Sequence, residues 1–354
     1  MLLGFLLTLY TAAQAVAEKV VTLTFAGDCT LGCEELTRGN PDSFDAFVKE
    51  KGYGYFFENF RDLFSGDDCT VVNLEGVLSD HTGGEVTGKA FRFRGAERFV
   101  NILKEGSVEA VSLANNHTKD YSLQGLKNTM RVLDEAGIGW ARDRELWFFE
   151  KDGIRIAFVS VDYYAFINSA MQIRDELLKL RKNGEINAAV LLMHQGNEYE
   201  PKHSAEQRTT AEFFISKAKV DLVVAHHPHV LQGIGIIDNR TVLYSLGNFV
   251  FGGYSAVSRG PATNSLYTAA ARAEMHFSDD GEYIGQRITL YPAYDSGKDP
   301  ANNYQPVRVN TEDAAPVIEA IQQDTPWQLP EAETDSSGMA VLPLEYLAAD
   351  SAGE

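Results

Sequence analysis

The sequence predicts an α/β protein whose polar chemistry gathers at the carboxyl ends of its strands. Short valine-rich apolar runs alternate with stretches of helical period, the run over residues 220–232 closes on His226-His227-Pro228-His229, and other runs end on Asp, Asn, Glu or His. Open sheets bind ligands at such ends, and Pro228 stops the chain from continuing as a helix, so the three histidines are expected on a loop.

Taken in order, residues 20–26 read as a strand broken by Gly27-Asp28. Residues 69–74 form a second, closing on Asn73 and Glu75, and residues 108–113 a third, followed by Asn115, Asn116 and His117. Residues 122–136 carry Leu123, Leu126, Met130 and Leu133 at helical spacing, with Asp120 or Ser122 as the cap and Gly137 as the stop. A strand over 154–161, a helix over 171–180, a strand over 188–193 ending at His194, and a helix over 205–219 lead into the histidine run. A strand over 241–246 ends at Gly247-Asn248, and residues 266–277 and 282–291 make an antiparallel pair turned by Asp279-Asp280-Gly281.

The first 17 residues are uncharged and apolar, with Ala15 and Ala17 in an A-x-A arrangement, so they are expected to be a signal peptide or an N-terminal anchor, with the protein secreted or at the extracytoplasmic cell surface. The run lacks the basic residues that usually precede such a segment. One domain is expected over 18–324 and an acidic, poorly ordered tail over 325–354. The cysteines, Cys29, Cys33 and Cys69, are too few to organise the fold by disulfides, and small buried residues suit them better.

A net charge of −19 argues against nucleic acid as a partner, and an anionic substrate would need local cations. Residues 89–94 offer them: Phe91 and Phe93 alternate with Arg92 and Arg94 beyond Lys89, the pattern of a half-buried strand with a cationic, substrate-binding face. No G-x-S-x-G elbow, P-loop or dinucleotide fingerprint is present, which disfavours serine hydrolysis, ATP-driven ligation and redox chemistry.

Asp28, Asn73, Glu75, Asn116, His117, His194, His227 and His229 all stand just past strand ends. Together they supply carboxylate, amide oxygen and imidazole, a mixture that suits a divalent metal such as manganese, iron, zinc or magnesium. A cation held among such groups would acidify a bound water, and the cations of residues 89–94 could meet charge on the substrate.

The ordered set Gly27-Asp28 with Leu31-Gly32, Asn73-Leu74-Glu75, residues 112–117 with Asp120, His194-x-Gly196, residues 227–232 and residues 244–249 resembles the CapA (PGA_cap) family of capsule and poly-γ-glutamate synthesis proteins. That family is similar to the calcineurin-like metallophosphoesterases, which implies a two-sheet β-sandwich flanked by helices, α/β/β/α. The resemblance implies Asp28 as the first aspartate ligand, Glu75 or Asn73 at the bridging position, and Asn116, His194 and His227 on a second metal. It also implies His229 on the first metal and His117 as the proton donor to a leaving oxygen. Thr30 stands where the phosphoesterases carry a further histidine ligand. Asp120 and Asn248 are expected behind the ligands, orienting them. Two functions remain open: a metal-dependent hydrolase of a phosphoester or an amide, and a non-catalytic surface factor binding an acidic polymer such as poly-γ-glutamate beside membrane-bound polymer-synthesis machinery.

Overall fold

The computed structural model describes residues 18–252, 265–297 and 301–349. Residues 1–17, where the signal or anchor is expected, lie outside them. The chain first lays down β1 (Glu18–Cys29), α1 (Phe44–Lys51), α2 (Arg61–Phe64), β2 (Cys69–Leu74), β3 (Val77–Leu78), β4 (Arg94–Gly95), α3 (Val100–Glu105), β5 (Ala110–Ser112), α4 (Ser122–Ala136) and β6 (Gly139–Ala141). A second sheet follows in β7 (Trp147–Lys151), β8 (Ile154–Asp162), α5 (Tyr163–Lys182), β9 (Ala188–His194), α6 (Ala205–Ala218), β10 (Leu222–His226), β11 (Ile234–Ile237) and β12 (Arg240–Leu243). The chain then returns to the first sheet with β13 (Tyr267–Ser278), β14 (Tyr283–Tyr294), β15 (Val307–Arg308), α7 (Thr311–Gln322), β16 (Glu333–Thr334), β17 (Ala340–Pro343) and β18 (Leu347–Ala348).

The first sheet runs β16-β17-β14-β13-β1-β2-β5-β6 and the second β11-β12-β10-β9-β8-β7. Strands β1, β2, β5 and β6 are mutually parallel, as are β8, β9, β10 and β12, so two sets of carboxyl ends exist.

Period-two alternation sorts each strand's apolar residues between two cores. Val21, Leu23 and Phe25 of β1 pack in one buried cluster with Ile156, Phe158, Val190, Leu192 and Val224, which fills the space between the sheets. On the first sheet's outer face, Val72 and Leu74 of β2 join Phe44, Ile102, Leu103 and Leu133 from α1, α3 and α4. On the far side Val159, Leu191 and Val223 pack with Ile173, Leu177 and Phe214 from α5 and α6. The result is helices, sheet, sheet, helices: the expected α/β/β/α sandwich. Each fully buried Val, Leu or Phe contributes about 1.5–3 kcal/mol, so these three clusters hold the strand ends rigidly. Cys29, Cys33 and Cys69 are free thiols in these cores. Among the described residues no helix is long and apolar enough to cross a membrane.

Three expectations need correction. Residues 91–93 are loop and only Arg94–Gly95 is strand, pairing with Val77 and Leu78, so the cationic half-buried strand does not form. The stretch from Thr325 does not run as a poorly ordered tail through its described part: β17 and β18 pair with β14, and Ala340 and Leu342 are buried. Helix α4 starts after Tyr121 with no side-chain cap, because the Asp120 carboxylate is engaged elsewhere, whereas its stop at left-handed Gly137 is as expected.

Candidate metal centre

The register of the strands assembles the site. Asp28 pairs with Asn73, and Asn73 with Ser112, along the first sheet; Asp162 pairs with His194, and His194 with His226, along the second. The Gly27-Asp28 pair is required by a close crossing: a Cβ on Gly27 would lie 2.0 Å from the Gly247 carbonyl oxygen. There the Asp28 N–H donates to the Gly247 carbonyl at 2.9 Å and the Phe249 N–H to the Asp28 carbonyl at 2.8 Å, which locks Asp28 beside Asn248.

Glu75 sits at the centre. It is fully buried, and neither carboxylate oxygen has a hydrogen-bond partner among the described residues. Its Oε1 lies 3.4 Å from His194 Nε2 and 3.8 Å from both His229 Nε2 and His117 Nε2. Three groups bring ligand atoms within 4.8 Å of one another: Asp28, Glu75 and His229; Glu75, His194 and His227; and Glu198, His227 and His229. An orphaned buried carboxylate ringed by imidazoles fits a divalent cation, and Glu75 is common to the first two groups.

The surrounding bonds orient these ligands. Asn73 Nδ2 donates to Asp28 Oδ1 at 2.7 Å and lies 3.2 Å from His194 Nδ1, so its amide nitrogen faces the cluster. Its Oδ1 accepts from Asn115 Nδ2 at 3.1 Å. Asn116 Oδ1 lies 2.9 Å from His194 Nε2, and His229 Nδ1 lies 2.9 Å from Asn248 Oδ1. His227 Nδ1 is buried with no partner among the described residues. Both loop histidines take positive φ, 99° at His227 and 57° at His229, on either side of Pro228. Such backbone strain persists only where the surroundings over-determine it, and it clusters at functional sites.

His117 stands at the edge. Its Nδ1 lies 2.6 Å from Asp120 Oδ2 and 2.9 Å from Lys89 Nζ, while its ring packs 4.5 Å from that of Phe93. Lys89 Nζ also reaches Asp120 Oδ1 at 2.7 Å and the Asn116 carbonyl at 2.8 Å. Asp120 thus lies against Nδ1 of His117 and Asn248 against Nδ1 of His229, and Lys89 lies beside Asp120 and His117. Arg92 and Arg94 turn elsewhere: Arg92 pairs with Glu85 at 2.8 Å, and buried Arg94 is held by the Ser79 carbonyl at 2.7 Å and Glu35 at 2.8 Å. His226, expected on the loop, is the last residue of β10, and its Nε2 turns to the Ala26 carbonyl at 3.1 Å.

Electrostatics separate the ligands. Burial pushes the Asp28 carboxyl up, but the hydrogen bond and charge of His229, with His226 and His194 nearby, outweigh it and hold Asp28 well below the usual carboxylate range. Burial raises Glu75 above its ordinary value, against the pull of His229. Burial lowers His194 to about 3 and His227 to about 4, keeping both neutral and ready to ligate. For His229 the charges of Glu75 and Asp28 overcome burial and raise it to about 9.

These shifts predict a pH profile for the metal-free protein. Between their folded values and the ordinary 6.5, His194 and His227 bind more protons unfolded than folded, so stability falls as pH drops from about 6.5 toward 4. The stabilisation from raised His229 is complete below 6.5 and is lost as pH rises through about 9. Thermal unfolding in chelator across pH 4–9 should therefore peak near neutrality, and a midpoint constant from pH 4 to 6.5 contradicts the histidine environments.

Sequence reasoning named Asn115 without a role, although its amide ties Asn73 to the Leu74 carbonyl, and missed Glu198 beside His227 and His229. Both lie in loops already marked by their histidines. It also missed Arg142 and Asp143, which follow β6 and line a cavity of about 740 Å³ opening beside His194 and His227. The three residues of β6 are too few to show a period.

The four-layer α/β/β/α sandwich thus brings carboxylates and imidazoles together at its strand ends, in groups that could hold a metal ion. Residues 22–253 match the family model described as bacterial capsule synthesis protein PGA_cap, and the chain belongs to that family. It is 27% identical over 259 residues to the capsule biosynthesis protein CapA of Bacillus anthracis, covering 66% of this chain and 60% of that one. It is 26% identical over 261 residues to the PGA biosynthesis protein CapA of Bacillus subtilis strain 168, covering 67% and 65%. The chain thus spans about 60–65% of the length of these relatives. Among solved structures it is similar to a hypothetical protein from Thermus thermophilus, with a TM-score of 0.47 and 14% identity over 77% of this chain and 99% of the other. The calcineurin-like phosphoesterase YfkN from Bacillus subtilis gives a TM-score of 0.44 and 12% identity over 75% and 88%.

Proposed function

We propose that this chain is a metal-dependent hydrolase serving capsule-polymer assembly, cleaving a phosphoester or an amide bond. The observation that carries the reading is Glu75, a fully buried carboxylate without a hydrogen-bond partner among the described residues, faced by His194 and His229. Asp28, Glu75 and His229 would hold one cation, and Glu75, His194 and His227 a second. Manganese, iron, zinc or magnesium bound there supplies a Lewis acid and a water of lowered pKa. Asp120 fixes Nδ1 of His117, so its Nε2 faces the cluster to hand a proton to the leaving oxygen. Lys89 anchors the Asp120 carboxylate. The extracytoplasmic address expected from residues 1–17 belongs to the same proposal.

Cleavage of an aryl phosphodiester and of a γ-glutamyl anilide, each with added manganese or zinc, tests it. Hydrolysis of one, lost with chelator and in His194→Ala, is the expected result. The second reading, a surface factor that binds acidic polymer without turnover, draws on the names of the two CapA relatives and on Thr30, whose hydroxyl accepts from the Gly252 N–H rather than reaching the cluster. Neither ester nor amide cleaved by the metal-loaded protein would favour it.

A further inference from the structure

The cavity beside the cluster carries its own chemical signature. One end is Asn116, His194 and His227; it then runs over the first turns of α5 and past Arg142 and Asp143. A neighbouring cavity of about 570 Å³ shares Arg142, Asp143 and Ser169 and extends along α5 to Glu176, so the two form one elongated groove.

Away from the metal cluster, the side chains lining the groove hold no excess of positive charge. In the cavity nearest the cluster, Asp143, Asp162 and Glu206 face Lys119 and Arg142, and Arg142 is already paired with Asp143. The chain as a whole carries −19. Beyond the reach of the proposed cations, an acidic polymer would meet no excess of cationic side chains to offset its desolvation.

What the walls offer is neutral. Tyr163 and Tyr164 are 49% and 72% exposed at the start of α5. Their rings meet at 5.7 Å and 75°, an open aromatic corner. Asp162 holds that corner in place by capping α5, its Oδ1 accepting the Ala165 N–H at 2.7 Å. Asn168, Ser169 and Asn197 add uncharged polar groups. Gln195 is the second, independent pointer: it is 3% exposed and lines the cavity, its Oε1 accepts from Thr210, and its Nε2 has no partner among the described residues. A buried amide donor left unpaired costs about 1–3 kcal/mol unless a ligand oxygen meets it.

Flat apolar rings beside amide, hydroxyl and carboxylate groups match a ligand with apolar C–H faces and many hydroxyls. We propose that this groove binds an uncharged saccharide segment, one sugar lying on the Tyr163–Tyr164 corner with its oxygens toward Gln195 and Asn168. The inference deepens the hydrolase reading by naming the substrate class of that site, and it rests on that reading only for the bond cleaved.

The test is titration calorimetry on the full chain with neutral tetrasaccharides of glucose, galactose, mannose and N-acetylglucosamine, and with a γ-linked glutamate tetramer, at 0.05 and 0.5 M salt. At least one tetrasaccharide should bind with salt-independent affinity, at least tenfold weaker in Tyr163→Ala/Tyr164→Ala and weakened also in Tyr164→Ala alone. Both rings are exposed, so an unchanged unfolding midpoint is expected in these variants. Binding of no tetrasaccharide, equal binding by the tyrosine variants, or salt-sensitive binding of the glutamate tetramer alone overturns the proposal. Saccharide binding without metal uptake sinks the hydrolase reading and spares this one; metal uptake and ester cleavage without saccharide binding does the reverse.

Discussion

Stripped of metal, Glu75→Gln should unfold at a higher temperature than the unsubstituted protein, and on saturation with manganese or zinc the order should reverse. The carboxylate is fully buried, and neither oxygen has a hydrogen-bond partner among the described residues, so without a cation it carries a desolvation cost, on the order of 1–3 kcal/mol or more for such a group, that the charge of His229 only partly offsets. Glutamine keeps the shape, removes the charge and lowers that cost. Glu75 is also the carboxylate common to two of the three ligand groups, so its loss weakens both. A cation at a hundred times its dissociation constant stabilises the folded state by about 2.7 kcal/mol, which the variant forfeits. Differential scanning calorimetry in chelator and in metal reads both halves. The same order under both conditions contradicts a metal role for Glu75.

His117→Asn should lower kcat on whichever ester or amide is cleaved by about 10²–10⁴-fold, with KM and metal content near those of the unsubstituted protein. His117 belongs to none of the three ligand groups, yet its Nε2 is 3.8 Å from Glu75 and its Nδ1 is fixed by Asp120. The residue is thus placed to move a proton without holding the cation. Asp120→Asn, which disturbs the orientation of that ring but removes no proton donor, should give a smaller fall. A kcat within threefold in His117→Asn, or loss of metal with it, contradicts the assignment.

The strands that carry the site were legible because each is a buried valine-rich run with a polar stop. Residues 69–74 and β2 coincide, and β9 and β10 end at or beside the expected histidines. Partition into two sheets was not legible from alternation alone, because parallel pairing leaves no local trace; only the family resemblance implied it. Arg92 and Arg94 misled for a related reason. Their alternation with Phe91 and Phe93 mimics a strand, but the backbone over 91–93 is loop: the Phe93 N–H goes to the Asp120 carboxylate and Arg94 turns to Glu35. Helix α7 was hidden by Pro316 inside it, and β16 to β18 by acidic, small-residue composition, although Leu342 packs in the inter-sheet core. Composition reports mean burial, and a strand held by one or two buried residues falls below that mean. The groove over Tyr163 and Tyr164 was invisible because its walls come from the segment after β6, from α5 and from the His194 loop, distant in sequence.

Metal content by plasma mass spectrometry, on the purified protein beside His194→Ala/His227→Ala, tests the central claim most directly. Near-stoichiometric manganese, iron or zinc in the unsubstituted protein, lost in the double variant, is the predicted result. Metal absent from both after reloading, or retained in full by the variant, contradicts a metal centre at these strand ends.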